Sequence, residues 1–124
     1  MGIYSKEQKE KYIKAEIKRL KKIYKDIEPN RKDSAIGLIE RASFMRVSLD
    51  EMEASLNSKG FVEMFSQSET QEPYERKRLT ADLYNQINGS YQKIIKQLTD
   101  LLPKEQVKND NDDGFNSFIG DRHD

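Results

Sequence analysis

Residues 60–104 read GFVEMFSQSETQEPYERKRLTADLYNQINGSYQKIIKQLTDLLPK. Gly60 is a helix stop, Pro73 sits in a polar stretch without periodicity, and Pro103 closes the periodic segment after it. Between Arg76 and Leu102 the apolar residues Leu83, Ile87, Ile94, Leu98 and Leu101 fall on one face of a 3.6-residue repeat. Tyr84, Tyr91 and Ile95 lie beside them and are expected to pack in the core. This predicts a helix over residues 76–102, fed by a loop over 61–75 whose Phe61, Val62 and Phe65 fold back onto the helices. A short strand is the alternative for that loop. Gly89 interrupts the helix at about 1 kcal/mol relative to alanine.

Working towards the N-terminus, Leu38, Ala42, Met45, Leu49, Met52 and Leu56 step by 4, 3, 4, 3 and 4 residues. Such a stripe predicts a helix over 33–58, with Ile39, Phe44 and Val47 widening its apolar surface. Ser48-Leu49-Asp50-Glu51 also reads as a cap and restart. The stripe passes through it in register, so one long helix is expected. Before the Pro29-Asn30 break, Ile13, Ile17, Leu20, Tyr24 and Ile27 mark a first helix over 5–27. Ser5 stands at its N-cap and Glu7 in its first turn. The expected fold class is therefore all-α, a bundle of about three long helices with coiled-coil-like seams. Residues 1–103 form one helical domain, and residues 104–124 form a disordered acidic tail.

With 124 residues, 35% of them hydrophobic and 35% charged, the core is expected to be thin, and oligomerisation would bury more apolar surface. There is no cysteine, which excludes disulfides and thiolate metal sites. No apolar run approaches membrane-spanning length, and no signal-like segment opens the chain, so a cytoplasmic protein is expected. His123 is the single histidine and has no neighbours to form a site. Asp110, Asp112 and Asp113 lack the spaced glutamate of a calcium loop. Without a glycine-rich phosphate loop or a nucleophile with a base, the expectation is a non-enzyme with no catalytic residues, cofactor or metal.

The net charge is zero but unevenly spread: residues 1–32 carry 11 Lys/Arg against 5 Asp/Glu, and residues 104–124 carry 3 against 6. A basic head of this kind fits a polyanion partner, and equally a solvated lysine-rich helix. On the first reading Lys14, Lys18, Arg19, Lys21, Lys22 and Lys25 contact DNA phosphates, with Arg76, Lys77 and Arg78 as a second cluster. No zinc finger, RNA-recognition pattern or short recognition helix is present, so base-specific readout has no carrier. In the tail, Phe115, Phe118 and Ile119 come after an acidic linker and read as a docking segment for a partner, or as one that folds back on the domain.

The plan of the chain, over about residues 10–119, resembles the small terminase subunits of tailed bacteriophages, in the short form found in phages of Gram-positive hosts. The residues that carry the resemblance are the seam from Leu38 to the stop at Gly60, Glu72-Pro73-Tyr74, and Arg76-Lys77-Arg78-Leu79. Ala81-Asp82-Leu83-Tyr84, Leu98-Thr99-Asp100-Leu101-Leu102-Pro103 and the acidic-aromatic Asp112-Asp113-Gly114-Phe115-Asn116-Ser117-Phe118 continue it. Asp100 stands where that family often has a glycine. The resemblance implies a non-catalytic DNA-packaging component of virion assembly, working in the host cytoplasm. It would bind double-stranded DNA, form a homo-oligomeric ring and present DNA to the large terminase subunit, the ATPase and nuclease. Two other readings stand beside it. One is a helical coiled-coil assembly or adaptor protein without DNA binding; the other is a small dimeric DNA-binding regulator.

Overall fold

The computed structural model describes residues 3–104, which form three long helices and one two-stranded hairpin. Helix α1 spans Lys6–Ile23. Its start is set by a capping box: Ser5 Oγ accepts from the Gln8 N–H at 3.1 Å, and Gln8 Oε1 accepts from the Ser5 N–H at 3.0 Å. The helix ends four residues earlier than its apolar stripe suggests. Tyr24 caps it, and Ile27 is nevertheless buried after the turn. A 3₁₀ turn at Pro29–Arg31 leads into α2, Lys32–Lys59, which runs unbroken through Ser48.

Helix α2 is the middle of the molecule, with α1 packed on one side and α3 (Leu79–Asp100) on the other. Its buried residues therefore surround much of its circumference. Leu49, Met52 and Leu56 belong to the predicted seam, whereas Ile39, Ser43, Val47 and Glu51 lie off it. A helix wedged between two others needs more than one apolar stripe. Both neighbours run antiparallel to α2, so the C-terminal ends of α1 and α3 meet over its first turns. There Leu20, Tyr24 and Ile27 pack with Ala35, Ile39 and Ala42 and with Ile94 and Leu98. A hydrogen bond of 3.2 Å between Tyr24 Oη and Thr99 Oγ1 ties the two outer helices at this pole.

The segment expected to be a loop is a β-hairpin. Strand β1, Val62–Phe65, pairs antiparallel with β2, Tyr74–Lys77, in the register Val62↔Lys77 to Phe65↔Tyr74. Helix α3 accordingly starts at Leu79, three residues after the predicted start at Arg76. The alternation Val62/Met64 against Glu63/Phe65 is too short to register above the polar loop, and β2 has no apolar alternation at all. Cross-strand pairs hold it instead. Phe65 and Tyr74 meet edge to face at 5.9 Å, Arg76 lies 3.4 Å above the Phe65 ring centre, and Arg76 Nε donates to Glu63 Oε2 at 2.9 Å. Phe61 and Val62 do not fold into the core; both remain about half exposed.

Gly60 closes α2, its N–H donating to the Leu56 carbonyl at 2.8 Å. Its φ of 85° and ψ of 177° occupy a region essentially restricted to glycine. A Cβ at this position would meet no heavy atom within 4 Å, so only the backbone resists substitution. Gly60→Ala is expected to lower unfolding free energy in urea by ~1–3 kcal/mol. Gly37→Ala and Gly89→Ala, at equally open but helical sites, are expected to raise it by ~0.5–1 kcal/mol. Equal effects at all three positions would contradict the backbone argument.

Candidate nucleic-acid interface

Helical geometry sorts the cations of α1 that follow Lys6 into three groups. Leu20 faces the core, with Ile13 and Ile17 half-buried beside it. Lys11, Lys14, Lys18, Lys21 and Lys22 are linked by spacings of three and four, which places them along one flank, all exposed. Eleven steps of 1.5 Å each make this stripe ~16 Å long. Lys25 stands in the turn after the helix, where its carbonyl accepts from Lys32 Nζ at 3.0 Å. None of these six lysines forms an ion pair among the described residues. Lys11 belongs to the stripe, although the sequence reading did not single it out; the i, i+3 step to Lys14 was the available signal.

Arg19, predicted with these lysines, lies on the opposite flank. Its Nε and Nη2 donate to the two Glu16 carboxylate oxygens at 2.9 and 2.6 Å. The bidentate contact with Arg19 holds the Glu16 carboxyl below its ordinary range, against the opposing effect of partial burial. The guanidinium is thus committed to its own helix.

The third group is a single residue, Lys9, which turns inward. Its Nζ lies 2.8 Å from Glu51 Oε1 and 4.9 Å from the centre of the Phe44 ring. Glu51 is 3% exposed, and its other oxygen accepts from the Tyr4 N–H at 3.0 Å. Burial pushes the Glu51 carboxyl up, but Lys9 and the Tyr4 N–H together outweigh it and hold the carboxyl below its ordinary value of 4.5. A carboxylate lowered on folding stabilises the fold above the unfolded value, and that contribution fades as pH falls through the lowered one. Lys9→Met leaves a buried charge short of its partner. It is expected to cost ~1–3 kcal/mol at pH 7, below the range for fully buried pairs because Lys9 is partly exposed. The difference from the parent should shrink as pH falls through the lowered Glu51 value, as read by urea denaturation across pH. A pH-independent difference would mean that lost packing, not charge, carries the effect.

Arg76, Lys77 and Arg78 are brought together, but each has an acidic neighbour. Arg76 is bonded to Glu63, Lys77 Nζ lies 3.0 Å from Asp82, and Arg78 Nη1 lies 4.0 Å from Glu63. Arg78 Nε is buried without a hydrogen-bond partner. This cluster therefore offers less uncompensated positive charge than its sequence does.

Two grooves open beside α2 and share Asp50. One is lined by Tyr12, Glu16 and Arg19 with Arg46; the other by Glu53, Leu56, Phe61 and Tyr84. Tyr84 Oη donates to Glu53 Oε2 at 3.0 Å, so this tyrosine sits at the groove and not in the core. Burial raises the Asp50 carboxyl, with Glu53 and Glu16 adding to the effect and Arg46 opposing it. Among the described residues no cluster of His, Cys, Asp or Glu is arranged to hold a metal ion, and no helix is long and apolar enough to cross a membrane. The predicted docking residues Phe115, Phe118 and Ile119 lie outside the described residues. Comparisons with protein families, with curated proteins and with solved structures found no match to this chain.

Proposed function

We propose that this chain is a non-catalytic DNA-packaging component of the small-terminase type, which binds duplex DNA, oligomerises and presents the DNA to a large ATPase–nuclease subunit. The observation that carries the DNA part is the lysine stripe of α1. Five exposed ammonium groups on one flank, without carboxylate partners among the described residues, match a phosphate backbone in chemistry. At one phosphate charge per ~1.7 Å of duplex axis, a ~16 Å stripe faces enough charge to engage every one of its lysines. The exposed apolar residues Phe61, Val62, Met64 and Leu79 at and beside the hairpin support association with further copies in a coiled-coil-like or ring assembly. The same residues favour a second reading, an assembly or adaptor protein that binds only protein. Light scattering at low salt, with and without a duplex of about 30 base pairs, separates the two. A closed oligomer whose mass rises on adding DNA supports packaging. An oligomer indifferent to DNA leaves the adaptor, and a monomer or dimer removes the ring.

A further inference from the structure

Strand β2 presents an open edge. All four of its residues are exposed, and Val62 and Met64 on β1 are 50% and 64% exposed. The Arg78 N–H donates to the Phe61 carbonyl at 2.9 Å, which fixes where the backbone groups of β2 point. Alternation along the strand turns the N–H and C=O groups of Tyr74 and Arg76 towards β1, and those of Glu75 and Lys77 outwards. Among the described residues no backbone hydrogen bond reaches these outward groups. A hairpin of two strands is marginally stable in water by itself and gains stability from further strands.

The charges on that edge decide what fits it. Charged residues commonly protect an edge, because a second strand brings nothing to neutralise them. This edge carries one acid and one base two residues apart, Glu75 and Lys77, on the same face. Two copies related by a two-fold axis normal to the sheet bring their outward groups together when the axis passes at Glu75, Arg76 or Lys77. An axis at Glu75 or at Lys77 sets that residue against its own like charge. An axis at Arg76 sets Glu75 against Lys77 of the second copy, and Lys77 against its Glu75. Each of these pairs also exchanges two backbone hydrogen bonds. The two Arg76 side chains meet at the axis, but each is held in its own hairpin by Glu63 at 2.9 Å and by the Phe65 ring. Met64 and Val62, the cross-strand neighbours of Glu75 and Lys77, flank the ion pairs. We propose that a second copy of this chain pairs with the β2 edge in this register, making one four-stranded sheet across a two-fold axis. The contact deepens the association part of the proposed function and needs nothing from its DNA part. A two-fold contact uses the same edge on both copies, so a larger closed assembly built on it contains an even number of chains.

The test uses the full chain. Sedimentation equilibrium at low salt reads the association constant of the parent, of Glu75→Lys, of Lys77→Glu and of an equimolar mixture of the two variants. Each reversal turns both attractions across the axis into repulsions, so it should weaken association about tenfold or more, the gap narrowing as salt screens the charges. The two variants have complementary edges, so their mixture should regain the parent's affinity to within about threefold. The double variant Glu75→Lys/Lys77→Glu keeps the composition of the chain and should associate like the parent, which separates the contact from a folding defect. Carbodiimide coupling of light with isotopically heavy parent should yield Glu75–Lys77 links between the two masses. Association that neither reversal weakens, or that neither the mixture nor the double variant restores, overturns the proposal and leaves the assembly reading standing. A parent that stays monomeric overturns both.

Discussion

Lys18→Glu/Lys21→Glu/Lys22→Glu is expected to weaken duplex binding at low salt on the order of a hundredfold. The three lysines are neighbours on one exposed flank, so reversing them replaces three attractions to phosphate with three repulsions. Each lost phosphate contact also removes about 0.9 from the slope of log affinity against log salt, so the variant's slope should be flatter by roughly 3. Arg19→Ala is the matched control. Its guanidinium is bonded to Glu16 on the other flank, and its removal should leave affinity within about threefold of the parent. The lysines are exposed and unpaired within the described fold, so thermal stability should change little. Anisotropy titrations at several salt concentrations read both quantities. If Arg19→Ala weakens binding as much as the triple reversal does, the α1 flank is not the contact surface and only overall charge matters. If neither variant changes the affinity, α1 does not touch DNA.

A second large effect is expected in the core. Leu98 has no exposed surface and stands in the cluster where all three helices meet. Leu98→Ala removes its packing against that cluster and leaves a cavity that the long helices cannot easily close. The expected loss is ~3–5 kcal/mol. For a domain of this size each kcal/mol corresponds to about 4–8 °C, so the midpoint should fall by ~15 °C or more. Leu79→Ala is the contrast: its side chain is 71% exposed, and the isolated chain should tolerate the change within ~0.5 kcal/mol. Both are read by thermal and urea denaturation at one fixed protein concentration, because association shifts apparent stability. A large loss at Leu79 would show that this residue is covered by another copy in solution. A small loss at Leu98 would contradict the assignment of the core.

The helices were legible because their signals are local. Ser5 caps α1 within one turn, Gly60 supplies a positive φ that other residues resist, and the periodic apolar residues show a buried side for each helix. The hairpin was not legible, because its stability comes from pairs such as Glu63 with Arg76 and Phe65 with Tyr74 across an eight-residue connection. Neither strand has enough alternation by itself to announce a sheet face. The second side of α2 escaped for a related reason. Glu51 is buried although it is charged, and it is tolerable there because Lys9 of α1 and the Tyr4 N–H reach it.

The candidate interface divides along the same line. Composition placed the positive charge in the first 32 residues, since charge is a property of residue type and needs no fold. Which of those charges remain available was decided by tertiary structure. Lys9 is drawn into a buried pair with α2, and Arg76 is neutralised by a residue on the opposite strand. The five α1 stripe lysines are left facing solvent together. Periodicity and caps act over a few residues and can be read along the chain. Ion pairing acts through space, and its partners are chosen only when the helices and the hairpin have come together.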